Sequence, residues 1–70
     1  GKWTNTDYYQ LGYAYYQQEN YTLAIGEFNK IIDGKNDVAQ NAFYHLAESY
    51  LNLNQKQQAL NAFKNASEMD

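Results

Sequence analysis

Tyr8-Tyr9-Gln10-Leu11-Gly12-Tyr13-Ala14-Tyr15, followed by Ala24-Ile25-Gly26-Glu27-Phe28, is the stretch that decides the fold. It returns 35 residues later as Phe43-Tyr44-His45-Leu46-Ala47-Glu48-Ser49-Tyr50 and Ala59-Leu60-Asn61-Ala62-Phe63. Leu11, Gly12, Tyr15, Ala24 and Phe28 recur as Leu46, Ala47, Tyr50, Ala59 and Phe63. Apolar character is kept between Tyr8 and Phe43, Ile25 and Leu60, and Ile31 and Ala66. A unit of this length cannot bury its apolar face alone and stacks on its neighbour. Stacked units build a surface for holding something and supply no chemistry in themselves.

Outward from that core pattern, four helices are expected from caps and periodicity. The first covers residues 6–18, with Asn5 or Thr6 as N-cap and Tyr8, Leu11, Gly12 and Tyr15 on its apolar face. The second covers 22–33 and buries Ala24, Ile25, Phe28, Ile31 and Ile32, with Gly34 as the left-handed residue that ends it. Asp37-Val38-Ala39-Gln40 has capping-box spacing and starts a third helix over 38–53 that buries Phe43, Leu46, Ala47 and Tyr50. Asn54 is expected to cap a fourth over 55–69, with Ala59, Leu60, Phe63 and Ala66 inward. Short connections make neighbouring helices antiparallel. By its place in the hairpin Gly12 is expected to oppose Ala24, and Ala47 to oppose Ala59, with Phe28 and Phe63 filling the next layer. The class is therefore all-α, two antiparallel hairpins stacked as an α-solenoid fragment, in one domain spanning 1–70. Repeat one covers 5–38 and repeat two 40–70, with no C-terminal capping helix.

Composition removes several functions. Seventy residues without cysteine hold no disulfide framework, thiolate nucleophile or sulfur-rich zinc site. The net charge is -3, and the basic side chains are all lysines scattered among acids, which argues against nucleic acid. No apolar run approaches the ~20 residues that cross a bilayer, so no membrane insertion is expected.

Tyr8-x-x-Leu11-Gly12-x-x-Tyr15 with Ala24-x-x-x-Phe28, and Phe43-x-x-Leu46-Ala47-x-x-Tyr50 with Ala59-x-x-x-Phe63, resemble the tetratricopeptide repeat. The period is one residue longer than usual, with the extra residue within 33–37, and the closing proline is replaced near Asn36. These inter-repeat loops look like those of bacterial envelope repeat proteins, a resemblance that fits a bacterial cytoplasm or an envelope compartment such as the periplasm and leaves the compartment open. The resemblance implies a right-handed superhelix in which the first helix of each hairpin lines a concave groove for a partner peptide. The family's carboxylate clamp of lysine, asparagine and arginine is not matched: Tyr9, Tyr13 and His45 stand in its place.

Tyr9, Tyr13 and Tyr16 form a second stripe on the first helix, equivalent to Tyr44, Glu48 and Leu51 on the third. Tyrosine suits recognition, with large area, few rotatable bonds and a hydroxyl. The competing reading packs these rings on adjacent helices or on Trp3. Asn41, His45 and Glu48 share one side of the third helix, and Asn41, Asn52 and Gln17 are candidates for contacts to a bound main chain. One histidine and one carboxylate are too few for a metal site, and no metal or cofactor is expected. His45 and Ser49 stand one turn apart, but Ser49 aligns with Ala14 as a small buried position and lacks an orienting third residue. The glutamates are dispersed on separate faces and no glycine-rich phosphate loop exists, so no catalysis is expected.

The expected function is a non-catalytic protein-interaction module that holds a partner segment with Tyr9, Tyr13, Tyr16, Gln17, Asn41, Tyr44, His45 and Glu48. The alternative is a structural module for self-association or assembly of a larger envelope complex. In that case Leu60 and Phe63 on the uncovered fourth helix mediate a homodimer, with residues 33–37 as a hinge for exchange of hairpins.

Overall fold

The computed structural model describes residues 2–31 and 37–69. Its elements are α1 (Asn5–Gln17), α2 (Tyr21–Phe28) continued by a 3-10 turn (Asn29–Ile31), α3 (Asp37–Asn52) and α4 (Lys56–Ser67). The described residues contain no strand. α1 packs on α2 and α3 on α4, while α3 also lies against both helices of the first hairpin. α4 approaches α3 alone. The result measures 36 × 29 × 14 Å, a thin slab in which every helix keeps a free face.

The core follows the repeat. Ala24, Phe28 and Ile31 come from the first hairpin, Ala42, Phe43, Leu46 and Ala47 from α3, and Ala62 and Ala66 from α4. Tyr8, Tyr15, Ile25, Tyr50 and Phe63 pack around it, half-buried. Phe28 is fully enclosed, and burial of a side chain that size stabilises by about 2–3 kcal/mol. The expected pairing of Gly12 with Ala24 is corrected in one respect: what Gly12 accommodates is the Phe28 ring. A Cβ there would stand 2.8 Å from Phe28 Cε1. Leu60, inward on α4 by periodicity but outward on its uncovered face by comparison of the two repeats, is 62% exposed, in line with the second expectation. It lies on the side of α4 away from α3, where no other described helix packs. Ala39, Ala42 and Ala62 are buried instead, because small side chains are what close helix contact admits.

Both hairpin turns use one device. Asn20 N donates to Tyr15 O at 2.9 Å and Glu19 N to Tyr16 O at 3.0 Å. In the second hairpin Gln55 N donates to Tyr50 O at 2.8 Å and Asn54 N to Leu51 O at 2.9 Å. These are Schellman closures, with Glu19 and Asn54 both at φ 62° in the left-handed region. Asn54 therefore ends α3 and does not cap α4, whose N-cap is Gln55 with no side-chain bond.

Other caps also shift. Thr4 caps α1 in place of Asn5 or Thr6, because Asp7 completes a reciprocal box with it: Thr4 N donates to Asp7 Oδ2 at 2.8 Å and Asp7 N to Thr4 Oγ1 at 3.3 Å. Asp37 is already helical, and Gln40 sends its amide across to Ala66 O at 2.9 Å, tying α3 to α4. The α-helical part of α2 ends at Phe28, short of the expected boundary. The predictions for Ile32, Gly34, Asn36 and the 33–37 hinge fall outside the described residues, apart from Asp37.

Candidate functional site

α1 and α3 lie side by side, so the tyrosine stripe of one meets the polar stripe of the other. His45 is the meeting point. Its ring centroid is 6.0 Å from Tyr9, 5.2 Å from Tyr13, 5.1 Å from Tyr16 and 5.9 Å from Phe28. The three tyrosines form a ladder, Tyr9 on Tyr13 at 6.1 Å and Tyr13 on Tyr16 at 6.2 Å, with planes 6° and 17° apart. Residues spaced i, i+4 and i+7 stand above one another on a helix, which is why the rings stack. Tyr16 continues edge-on to Tyr21 at the start of α2, 5.8 Å away.

Glu48 closes the cluster. Its Oε1 lies 3.0 Å from His45 Nδ1. Burial, followed by the Glu48 charge, raises the Tyr16 pKa above the usual tyrosine value, and Tyr21, the Glu48 side chain and Tyr13 add to it. Burial also raises that of Tyr9, with Tyr13 and then Glu48 contributing. Both phenols stay protonated at neutral pH. Pairing with each other leaves His45 and Glu48 as at most two ligands, and no group of three metal-binding side chains exists among the described residues.

The rings divide into two sets. Tyr9 and Tyr16 are half-buried and pack against the core, as the competing reading of the stripe has it. Tyr13, Tyr44 and Leu51 are 37%, 38% and 48% exposed and carry the outward surface, with Glu48 between the last two in sequence. Tyr44 does not join the His45 cluster; its ring lies 6.3 Å from Phe63 of α4, as that of Tyr9 lies 5.9 Å from Phe28 of α2. Gln17 and Asn41 are exposed and have no hydrogen bond to the cluster. Asn52 donates its amide to Glu48 O at 2.9 Å. Trp3 lies tilted against Tyr8, ring centroids 5.5 Å apart, away from the ladder. Phe28, as the floor beneath His45, was not anticipated; the signal was its place one repeat before Phe63.

Ser49 is fully buried, but its hydroxyl donates to its own helix, to His45 O at 2.8 Å, so the ring has no serine to activate. Ala14, expected to be buried like Ser49, is exposed, because nothing among the described residues packs on that side of α1. Glu27 bonds Lys30 at 3.1 Å on another surface. The arrangement offers stacked rings, hydroxyls and one carboxylate: contact chemistry.

Residues 1–66 match a family model described as anaphase-promoting complex, cyclosome, subunit 3. No curated protein and no solved structure matches the chain.

Proposed function

We propose, for a chain that belongs to the anaphase-promoting complex subunit 3 family of tetratricopeptide-type repeats, that it holds a segment of a partner protein along the surface shared by α1 and α3. Families of this type are protein-interaction modules and typically non-catalytic. The observation that carries the reading is the division of labour among the rings. Tyr9, Tyr16 and His45 pack against one another or the core and back the exposed Tyr13, Phe63 backs the exposed Tyr44, and Leu51 is exposed on the same helix as Tyr44. Rigid aromatic rings that are already ordered lose little entropy when a partner arrives. Tyrosine hydroxyls and the exposed amides of Gln17 and Asn41 add polar contacts at the rim.

The test uses Tyr13→Ala and Leu51→Ala, two positions whose side chains are largely outside the core. Native-source extract is passed over the immobilised chain and both variants, with helicity checked by circular dichroism. The reading requires a partner retained by the parent chain and lost from both variants at unchanged helicity. Equal retention by all three would place the partner elsewhere.

A further inference from the structure

The chain shows once how it holds an ammonium. Lys30 Nζ lies 3.1 and 3.2 Å from the two carboxylate oxygens of Glu27 and 5.1 Å from the ring centre of Tyr8. The carboxylate supplies the opposite charge, and the negative face of the ring completes the seat. The surface shared by α1 and α3 carries the same two groups, Glu48 and Tyr13. Neither helix contributes a lysine or arginine to it.

Tyr13 and Glu48 occupy equivalent positions of the two repeats, and His45 touches both. Its ring centroid is 5.2 Å from that of Tyr13, and its Nδ1 is 3.0 Å from Glu48 Oε1. Glu48 is the outer member of that pair, its side chain 43% exposed against 24% for His45. Tyr13 is exposed as well, so both groups are open to solvent. The carboxylates of α1 and α3 are those of Asp7, Asp37 and Glu48. Asp7 is engaged by its Thr4 cap. Asp37 shares the Glu48 side of α3 by helical spacing, with Asn41 and Tyr44 between them. The Glu48 charge also makes the neighbouring phenols of Tyr9 and Tyr16 harder to ionise, after burial. A field that opposes a new negative charge favours a positive one.

We propose that the partner segment held on this surface presents a lysine or arginine side chain, whose cation seats between the Tyr13 ring and the Glu48 carboxylate. The proposal rests on the partner-binding reading above and adds the chemistry of the ligand. An acidic side chain in the same place would face Glu48 with no lysine or arginine on either helix to offset the repulsion.

A displayed library of random peptides, panned on the immobilised chain at low salt, is the probe. Sequences retained by the unchanged chain carry Lys or Arg several-fold above their frequency in the input. Glu48→Gln binds the selected peptides about fivefold more weakly, the share of an exposed ion pair. Glu48→Lys selects Asp or Glu in their place. Glu68→Gln, which removes an exposed carboxylate at the end of α4, leaves binding unchanged. Circular dichroism verifies the fold of each variant. A selected pool without basic residues overturns the proposal, and so does a basic pool that Glu48→Gln binds as tightly as the parent. Equal weakening by Glu68→Gln also overturns it, because the attraction is then to the net charge of -3. The reading beneath it fails by a different result: no peptide retained above background, or peptides retained equally by Tyr13→Ala and Leu51→Ala. Either removes the surface and the proposal with it.

Discussion

The ring of Phe28 occupies the space that a side chain at Gly12 would need. An added Cβ would lie 2.8 Å from Cε1 and 2.9 Å from Cδ1 of a ring that is wholly enclosed and has nowhere to retreat. Alanine favours a helix interior over glycine by about 1 kcal/mol, but overpacking a filled core costs about 1–3 kcal/mol. Gly12→Ala is therefore expected to lower stability by about 1 kcal/mol in urea melts. Gly26, on the exposed side of α2, has nothing within 4 Å of its would-be Cβ, so Gly26→Ala raises stability by about 1 kcal/mol. The opposite signs separate packing from propensity.

Glu19 and Asn54 hold equivalent left-handed positions, but they do not tolerate them equally. A left-handed conformation costs a side-chain-bearing residue about 1–2 kcal/mol, and asparagine escapes part of that through local hydrogen bonding. Glycine recovers most of the strain while losing more chain entropy on folding. Glu19→Gly is expected to stabilise by about 0.5–1 kcal/mol and Asn54→Gly by less. Thermal denaturation of the two single variants ranks them; equal shifts would contradict the strain account.

Tyr9 and Tyr16 have raised pKa values in the folded chain, chiefly from burial. The folded state then holds its phenolic protons more tightly than the unfolded state does. Their contribution to stability is complete below the ordinary tyrosine value of about 10 and is lost as the pH climbs through that value and beyond. Denaturation midpoints should fall above about pH 10, and less steeply in Tyr9→Phe and Tyr16→Phe. Spectrophotometric titration of tyrosinate should show a late-ionising component that Tyr9→Phe and Tyr16→Phe each reduce.

His45 joins the hairpins through four rings, whereas Tyr13 stands more in solvent. His45→Ala is expected to cost about 2 kcal/mol, and Tyr13→Ala under about 1 kcal/mol. Chemical denaturation decides the point. A Tyr13 cost matching that of His45 would make Tyr13 a packing residue and remove it from the outward surface.

Sequence reading failed where two rules competed for one residue. Asn54 has the composition of an N-cap, yet the same amide makes it a good left-handed C′ residue, and the chain used it to end α3. Leu60 carried both readings, core position by periodicity and outward on the uncovered face, and the second held because position within a repeat specifies burial only when a neighbour is present to supply it. Gln40 fits a capping box by spacing, and only the arrival of α4 offered its amide the carbonyl of Ala66. In the candidate site, both stripes were visible as periodic spacing. That they converge on one histidine was not, because a stripe reports which side of a helix a residue occupies and nothing about what stands opposite.

The amino-acid order alone determined the all-helical class and the pairing of helices into two equivalent hairpins. Periodicity and the 35-residue recurrence are local properties that each segment carries with it. Tertiary structure decided which tyrosines became scaffold and which remained available, packing Tyr9 and Tyr16 half-buried against the core while Tyr13 and Tyr44 kept exposed rings. The reason is that burial depends on the distance between elements far apart in the chain, a quantity set when α3 settles against α1 and α2 together.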